Sequence, residues 1–223
     1  MEREYHYEWN LTYRIDHWVR VLALIVLTFT GFYIHWPFLP GGAPGGFAVM
    51  AWMRFAHFTA AYALILGLVV RLYLAFNSTF DADWRDFGIL RNLRDVPDIL
   101  AYYLFLKQGH KEYRRYNPLQ AFTYLFWVFL ILFLTLTGFA LYRGNVFGFI
   151  PAPASFLWVQ DLLGGESNTR IWHFLAMWVF IITTVIHIYM ATMTAWIRRD
   201  HTVRSIISGY KYKVQAGQGG DGK

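Results

Sequence analysis

The chain has 223 residues, of which 57% are hydrophobic, 20% aromatic and only 15% charged. Because a soluble domain carries about 25% charged residues, this composition indicates an integral membrane protein. The formal net charge of +6 is expected to reflect orientation against anionic lipid, so nucleic-acid binding is not predicted. There are no cysteines, which excludes iron–sulfur clusters, covalently attached c-type haem and thiol redox chemistry within this chain.

Four apolar segments are each near the roughly 20 residues that a helix needs to cross a membrane. The predicted spans are Trp18–Trp36, Phe55–Phe76, Ala121–Tyr142 and Ile171–Ile197. We therefore expect an all-α fold, with one four-helix membrane bundle over residues 1–200 and a tail at 201–223. Arg20 and Arg71 lie close enough to span ends for their charged groups to snorkel to the interface.

The distribution of basic residues predicts the orientation of the bundle. An even number of spans places both termini on one side of the membrane. Seventeen of the 20 Lys and Arg residues lie in the terminal segments, in the connection between spans two and three, or at the adjoining span ends. The other three are Arg54, Arg143 and Arg170 on the opposite side. The positive-inside rule therefore predicts that both termini are cytoplasmic.

Two connections carry apolar runs too short to cross a membrane. The outer connection, residues 143–170, is apolar at Phe147–Phe149 and Phe156–Val159, which predicts packing on the membrane surface or on a partner. The cytoplasmic connection, residues 77–118, is charged. Its apolar run Ile99–Leu106 predicts an interfacial helix.

Four histidines lie inside or at the mouth of the spans: His17, His57, His173 and His187. A titratable ring is costly in hydrocarbon, so these residues indicate a functional site. His173 and His187 are fourteen residues apart on one span, which puts both rings on one helix face about 21 Å apart. In the predicted topology His57 and His173 form an outer pair, and His17 and His187 form an inner pair.

The iron of a low-spin b-type haem takes axial imidazoles from opposite sides, which two histidines at equal depth on facing helices provide. We therefore predict two haems, one in each pair. Filled axial positions leave no place for a substrate at the iron, which favours electron transfer over catalysis there. Zinc is the competing use, but zinc needs clustered ligands and these lie at two levels. For any one histidine alone, a hydrogen-bonded core role is the alternative.

Gly31 and Gly138 occur in two similar stretches, Leu27–Phe32 and Leu134–Phe139, near the outer ends of spans one and three. Without side chains they would let a porphyrin edge approach the backbone, although helix-packing glycines are also common in membranes. An arginine stands three residues before each of three histidines. These arginines are predicted either to bind haem propionates or to anchor the span ends; they are Arg14, Arg54 and Arg170. The remaining histidines, expected on the solvent side, are His6, His35, His110 and His201.

Several motifs together resemble one known family. They are Arg14-Ile-Asp-His17-Trp18-Val with Leu27-Thr-Phe-Thr30-Gly31, Arg170-Ile-Trp-His173 with Trp178 and His187-Ile188-Tyr189, and Tyr116-Asn117-Pro118-Leu119-Gln120-Ala121. From about residue 9 to 200 the chain resembles the cytochrome b subunit of membrane-bound nickel–iron hydrogenases. The gamma subunits of formate dehydrogenases share the histidine pattern.

The resemblance implies a four-helix cytochrome with two haem b groups in the inner membrane of a prokaryote, with the four histidines as iron ligands. It implies an anchor that holds the hydrogenase on the outer face and passes its electrons to membrane quinone. The partners would be an iron–sulfur small subunit, which donates to the outer haem, and a nickel–iron large subunit, so no catalytic hydrogen site is expected in this chain.

A quinone site is also implied by the resemblance. Asn117 matches an asparagine at the quinone pocket of the formate dehydrogenase gamma subunit, and Gln120 is a weaker companion. The same Asn117, placed before Pro118, is typical of a helix N-cap, and the two roles are compatible.

Three alternatives stay open at this point. The first is the gamma subunit of a formate dehydrogenase or a similar molybdoenzyme, which shares the histidine pattern. The second is a stand-alone cytochrome b561-like quinol oxidase, which would purify alone with its haems. The third is a haem-free transporter or metal-binding membrane protein, which would lack a reducible haem absorbance band.

Overall fold

Four long helices form the body of the molecule in the computed structural model, which describes residues 4–38, 49–77, 93–107, 117–198 and 201–213. In chain order the elements are β1 (Glu4–Tyr7), α1 (Leu11–His35), α2 (Val49–Asn77), a 3₁₀ turn (Leu93–Asp95), α3 (Val96–Tyr103), α4 (Pro118–Leu141), β2 (Asn145–Val146), β3 (Ile150–Pro151), α5 (Ala152–Ser155), α6 (Leu157–Leu163), α7 (Glu166–Arg198), α8 (Thr202–Ser208) and β4 (Tyr210–Lys213). Helices α1, α2, α4 and α7 are long and apolar enough to cross a membrane. They confirm the four predicted spans.

Each of these helices begins three to seven residues before the predicted span. The difference arises because polar caps and first turns lower the hydropathy at helix starts without ending the helix. In α1 the side chain of Asn10 accepts a hydrogen bond from the backbone N–H of Tyr13 at 2.8 Å. Such a cap satisfies one of the backbone N–H groups that a helix start leaves without an intrahelical partner.

The four helices pack as two pairs, α1 with α2 and α4 with α7. Thr30 of α1 contacts His57 of α2, and Arg20 lies against Gly67, so the first pair is antiparallel. One apolar core joins the pairs; its buried residues are Ala23, Ala60, Leu64, Leu68, Leu130, Ile131, Ala176 and Phe180. Many large apolar side chains on the outside are exposed, as expected for helices that face lipid.

The two terminal segments lie together at one end of the bundle, in an arrangement we call the terminal clasp (β1, α8, β4 and the first turns of α1). Strand β1 pairs antiparallel with β4. Trp9 donates to the Ser205 hydroxyl at 3.2 Å, and Trp18 donates to the Ile206 carbonyl at 3.2 Å. Both termini therefore share one end, as an even number of spans requires. Their cytoplasmic location stays a prediction.

A helix is present near the predicted run Ile99–Leu106, but it begins earlier, as α3 (Val96–Tyr103). The shift places Pro97 in the first turn, where its missing N–H costs no hydrogen bond. Ile99 is fully buried, and with Tyr102 and Tyr103 it packs against two methionines of α7, Met190 and Met193. One face of α3 therefore packs against the four-helix bundle. The location of α3 at a membrane interface stays a prediction.

The outer connection is an ordered cap on α4 and α2. Val146 and Ala152 are fully buried beside Phe139. The Tyr62 hydroxyl accepts a hydrogen bond from the backbone N–H of Phe147 at 3.2 Å. Five large apolar side chains on this cap stay exposed: Phe147, Phe149, Leu157, Trp158 and Leu162. The predicted packing of this connection on a membrane or a partner stays a prediction.

Some predicted features fall outside the described residues. Much of the charged cytoplasmic connection lies at 78–92 and 108–116, which includes His110 and Tyr116. The last ten residues of the expected tail, 214–223, are outside as well.

Replacement of Gly209 by Ala should open the terminal clasp. Gly209 has φ of +87°, and an added Cβ would lie 3.0 Å from the Trp9 carbonyl oxygen. A left-handed conformation costs a residue with a side chain roughly 1–2 kcal/mol, and here the clash adds to that cost. We expect several-fold faster trypsin cleavage at Lys211 in the detergent-solubilised protein, followed by mass spectrometry.

Gly148→Ala is the matched control, since Gly148 has φ of +83° but nothing within 4 Å of the added Cβ. Cleavage at Lys211 should keep its wild-type rate in that variant. Equal rates for Gly209→Ala and wild type would contradict the proposed role of this contact.

Candidate functional site

The structure brings the four intramembrane histidines together in the two predicted pairs. His57 of α2 lies beside α7 near the level of His173, because an added Cβ at Gly31 would lie 3.5 Å from Cε1 of His57 and 3.4 Å from Sδ of Met177, one turn after His173. His17 of α1 and His187 of α7 lie close enough for a charge on one ring to affect the other. All four rings are half-buried. Each pair therefore joins one histidine of α7 to one from the α1–α2 pair, at two levels along α7.

Each histidine of the outer pair is held by a threonine on the helix beside it. The Thr30 hydroxyl lies 2.9 Å from Nδ1 of His57, and the Thr137 hydroxyl lies 2.8 Å from Nδ1 of His173. Both threonines are buried. The hydroxyl oxygens also lie within hydrogen-bond distance of carbonyls one turn earlier on their own helices, those of Val26 at 2.7 Å and Phe133 at 2.8 Å.

These contacts favour the tautomer of both rings that carries its proton on Nδ1. A hydroxyl has one proton, and each threonine donates it to the carbonyl of its own helix. The hydroxyl oxygen then accepts a hydrogen bond from Nδ1–H of the histidine. With the proton on Nδ1, the lone pair of Nε2 is available to a metal. The outer pair is thus prepared as two Nε2 ligands.

Gly31 and Gly138 follow these threonines directly and lie beside the same rings. An added Cβ at Gly31 would lie 3.5 Å from Cε1 of His57 and 3.4 Å from Sδ of Met177. At Gly138 it would lie 3.4 Å from Cε1 of His173. The absent side chains leave open space next to the carbon that adjoins Nε2. This space is a cradle that a side chain would fill, and contact of the glycines with a porphyrin stays a prediction.

Both repeated stretches, Leu27–Phe32 and Leu134–Phe139, place a threonine against a histidine, a contact that the sequence did not predict. Only the glycines of the repeat were singled out from the sequence, and the structure shows that Thr30 and Thr137 contact the histidines. The available signal was a Thr-Gly dipeptide at the depth of the outer pair in both stretches. In each stretch the threonine contacts the histidine of the following span. The pairs α1–α2 and α4–α7 therefore have the same arrangement at this level.

The inner pair has different surroundings. Nδ1 of His17 is buried, and it has no hydrogen-bond partner within the part of the chain that the structure describes. The ring of His187 is contacted by Trp127, with centroids 5.2 Å apart, and by Tyr124 at 6.0 Å. Trp127 is itself held, since its indole N–H donates to Thr183 at 2.9 Å. His187 is thus contacted by aromatic rings, whereas the histidines of the outer pair are contacted by threonine hydroxyls.

Charged residues lie next to the inner pair, where the sequence predicted only snorkelling arginines. Arg20 makes an ion pair with buried Asp16, with Nη2 and Oδ2 2.7 Å apart. The guanidinium of Arg71 lies over the ring of Tyr13, 5.2 Å from its centroid. The sequence did not predict that a carboxylate one turn earlier on the same helix holds the head group of Arg20. The expected position of Arg20 near the membrane interface stays a prediction.

The three arginines of the Arg-x-x-His pattern occupy different environments. Arg14 donates to the Ile207 carbonyl at 2.5 Å, which places it in the terminal clasp. Arg170 makes an ion pair with Glu166 at 2.5 Å on the exposed start of α7. Arg54 is exposed. Their role in binding propionates stays a prediction.

Asn117 and Gln120 form a reciprocal capping box at the start of α4. The backbone N–H of Gln120 donates to Oδ1 of Asn117 at 2.8 Å, and that of Asn117 donates to Oε1 of Gln120 at 3.1 Å. The side-chain amide of buried Asn117 also donates to the Tyr103 hydroxyl at 3.3 Å. The predicted N-cap is confirmed. The predicted contact with quinone stays a prediction.

The residues present fit a haem at each level better than a zinc ion. Over the described residues, no group of three or more His, Asp or Glu that could hold a metal is present. Two facing imidazoles, with Nε2 free at the outer level and a glycine cradle beside each outer ring, match the axial ligands of a flat macrocycle. This conclusion depends on the histidine nitrogens as donors and on the space beside Gly31 and Gly138.

Comparison with known proteins agrees with this geometry. Residues 8–209 match the family model described as prokaryotic cytochrome b561. The chain is 33% identical to a probable Ni/Fe-hydrogenase B-type cytochrome subunit of Cupriavidus necator, covering 92% of this chain and 86% of the relative. It is 32% identical to the same kind of subunit from Azotobacter vinelandii, over 92% and 88% of the two chains. For the Escherichia coli K12 hydrogenase 1 subunit the identity is 29%, over 92% and 90%.

These matches cover nearly all of the four-helix body and confirm the family predicted from the histidine motifs. The chain belongs to the prokaryotic cytochrome b561 family, as a membrane cytochrome b similar to Ni/Fe-hydrogenase B-type cytochrome subunits.

Proposed function

We propose that this chain is the membrane anchor and electron-transfer subunit of a respiratory hydrogenase. It would carry electrons from the iron–sulfur clusters of a partner through two haem b groups to membrane quinone. The observation that carries the proposal is the arrangement of four histidines as two pairs at two levels of one apolar bundle. Catalysis of hydrogen oxidation belongs to the partner in this proposal.

In each pair the histidines would bind the iron from opposite sides. When bound, the haem supplies one-electron redox chemistry. At the outer level Thr30 and Thr137 orient the rings of His57 and His173 and keep the proton on Nδ1. If both histidines of a pair hold the iron, they would leave no coordination site on it for hydrogen, oxygen or quinone. The chain thus favours electron transfer over reaction at the metal.

Between the two levels the protein supplies a dry, packed medium. Phe180 stands seven residues from each histidine of α7, and it is 5% exposed. Trp127 stacks on Phe180 with centroids 5.5 Å apart and also contacts the ring of His187. Close packing of this kind excludes water from the middle of the bundle. This packing supports electron transfer between the two levels without movement of the protein.

The orientation follows from charge. The excess of Lys and Arg on the side of the termini supports a cytoplasmic location for that end and an outer location for the partner. The inner pair then lies near the cytoplasmic face, where Asn117 and Gln120 begin α4 beside Tyr103. Quinone would be reduced there with protons from the cytoplasm. Proton release by hydrogen outside would then make turnover electrogenic.

Replacement of His187 by Ala should remove the inner haem alone. We expect the pyridine haemochrome assay to fall from two haems per polypeptide to one, because the iron loses one of its two axial ligands. Hydrogen-driven quinone reduction by the complex should stop, while hydrogen oxidation with an artificial dye continues. Full quinone activity in this variant would contradict the role of the inner pair.

His35→Ala provides the matched control for that experiment. His35 lies at the end of α1, where its ring stacks on Phe174 with centroids 3.9 Å apart. It belongs to neither pair, so both haems and quinone reduction should be kept.

Replacement of Thr30 by Val should change the outer haem. Valine has the same shape but offers no acceptor to Nδ1–H of His57, so this ligand becomes less basic and its orientation less fixed. We expect outer-haem affinity to fall about 10–100-fold and its midpoint potential to rise, while the inner haem keeps its potential. Optical redox titration of the purified complex measures both.

Thr28→Val is the control, because Thr28 lies about 200° around α1 from Thr30. Its redox titration should match wild type. An unchanged outer haem in both variants would exclude the tautomer assignment.

The identity of the partner is tested by purification of the tagged chain from its native membrane. Nickel and iron should co-purify with it in amounts comparable to the polypeptide. Molybdenum in place of nickel would instead identify a formate dehydrogenase-like complex, and haem with no partner would identify a stand-alone cytochrome.

A further inference from the structure

A charged cluster lies beside the inner pair, between α1 and α2, and the proposed function has not used it. Its ionic members are Asp16 and Arg20 of α1 and Arg71 of α2. Both Nε and Nη2 of Arg20 contact the same carboxylate oxygen of Asp16, at 3.0 and 2.7 Å. Arg71 interacts electrostatically with Asp16. These three residues combine two guanidinium groups with one carboxylate in the interior of a membrane bundle.

The fold makes room for this cluster. Gly67 is buried on α2, and an added Cβ would lie 2.7 Å from Cγ and 3.0 Å from Cδ of Arg20. The stem of Arg20 therefore crosses α2 through the space that a glycine leaves. A glycine at this position in a helix is destabilising by about 1 kcal/mol relative to Ala, so its presence favours a specific need for that space.

The cluster lies close to the inner pair. Arg20 stands three residues after His17 on α1, which places both side chains on one face of that helix. The ring of Tyr124 of α4 contacts His187 and lies close enough to Arg20 and Arg71 to be affected by their charges. The two guanidinium groups thus lie on the side of the inner pair that α1, α2 and α4 enclose. At the outer pair, by contrast, the histidines are bonded to neutral hydroxyl groups.

The guanidinium groups of this cluster could pair with the carboxylates of a haem. Each haem b carries two propionate carboxylates on one edge, and guanidinium groups bind carboxylates in a fork of parallel hydrogen bonds. Arg14, the arginine of the sequence pattern nearest to His17, is instead held by the Ile207 carbonyl of the terminal clasp.

We propose that Arg20 and Arg71 bind the propionates of the haem held by His17 and His187, and that their charge makes this haem easier to reduce than the outer one. The inference rests on the proposed function. A nearby positive charge favours the reduced iron, which carries one positive charge fewer. Gly67 and Asp16 act as positioning residues, since they place the side chain of Arg20.

The test is an optical redox titration of the purified holo-complex with resonance Raman spectra of the propionate bending bands. Arg71→Gln should lower the midpoint potential of the inner haem and shift a propionate band, with the outer haem unchanged. Arg71→Lys keeps the charge without the fork, so its potential should lie between those of Gln and wild type. Arg143→Gln, an exposed arginine at the opposite end of the bundle, should leave both haems as in wild type.

Gly67→Ala provides a second variant that removes no charge. The added Cβ displaces Arg20, and the inner midpoint potential should again fall. If Arg71→Gln does not assemble, this variant decides the question. Wild-type potentials and propionate bands in the assembled variants, each with two haems, would overturn the assignment and leave the proposed function intact. A wild-type complex without two haems would refute the proposed function itself.

Discussion

A buried imidazole between apolar helices is costly when its ring nitrogens lack partners, and the architecture of the outer level depends on how that cost is reduced. At the outer level a threonine takes the N–H of each ring, which leaves one lone pair on Nε2. Each threonine hydroxyl also donates a hydrogen bond to a carbonyl of its own helix. The helix backbone therefore fixes the position of the hydroxyl, and the hydroxyl orients the histidine ring. The threonines would thus orient both rings for the proposed haem, which would lower the cost of ordering on binding.

The bundle repeats this solution in its two halves. A Thr-Gly step near the end of α1 faces a histidine of α2, and a Thr-Gly step near the end of α4 faces a histidine of α7. The halves differ at the other level. There α1 contributes His17 with its neighbouring ion pair, while α7 contributes a second histidine surrounded by aromatic rings. Two levels built from different polar groups would give the two proposed haems different electrostatic environments, and such a difference can direct electron flow.

Much of this arrangement is predictable from the sequence because it depends on spacing and depth. The four spans, the fourteen-residue separation of His173 and His187, and the pairing by level follow from hydropathy and helix geometry. The N-cap at Asn117 follows from the proline after it. Helix starts were misplaced by three to seven residues, since hydropathy does not detect polar first turns.

Contacts between side chains of different helices are harder to predict, because they depend on rotation about each helix axis. The contacts of Thr30 and Thr137 with the histidines were not predicted, and neither was the ion pair of Arg20 with Asp16. The terminal clasp was not predicted at all. It joins residues about two hundred positions apart through backbone pairing, for which the local sequence carries no signal.

The central claim is that two bis-histidine haems are held by this one chain. The most direct measurement combines the haem-to-polypeptide ratio of the purified protein with electron paramagnetic resonance of its oxidised state. The account predicts two haems per chain and two low-spin ferric signals. A ratio of one or zero, or a high-spin signal from an iron that lacks one imidazole in the intact protein, would contradict it.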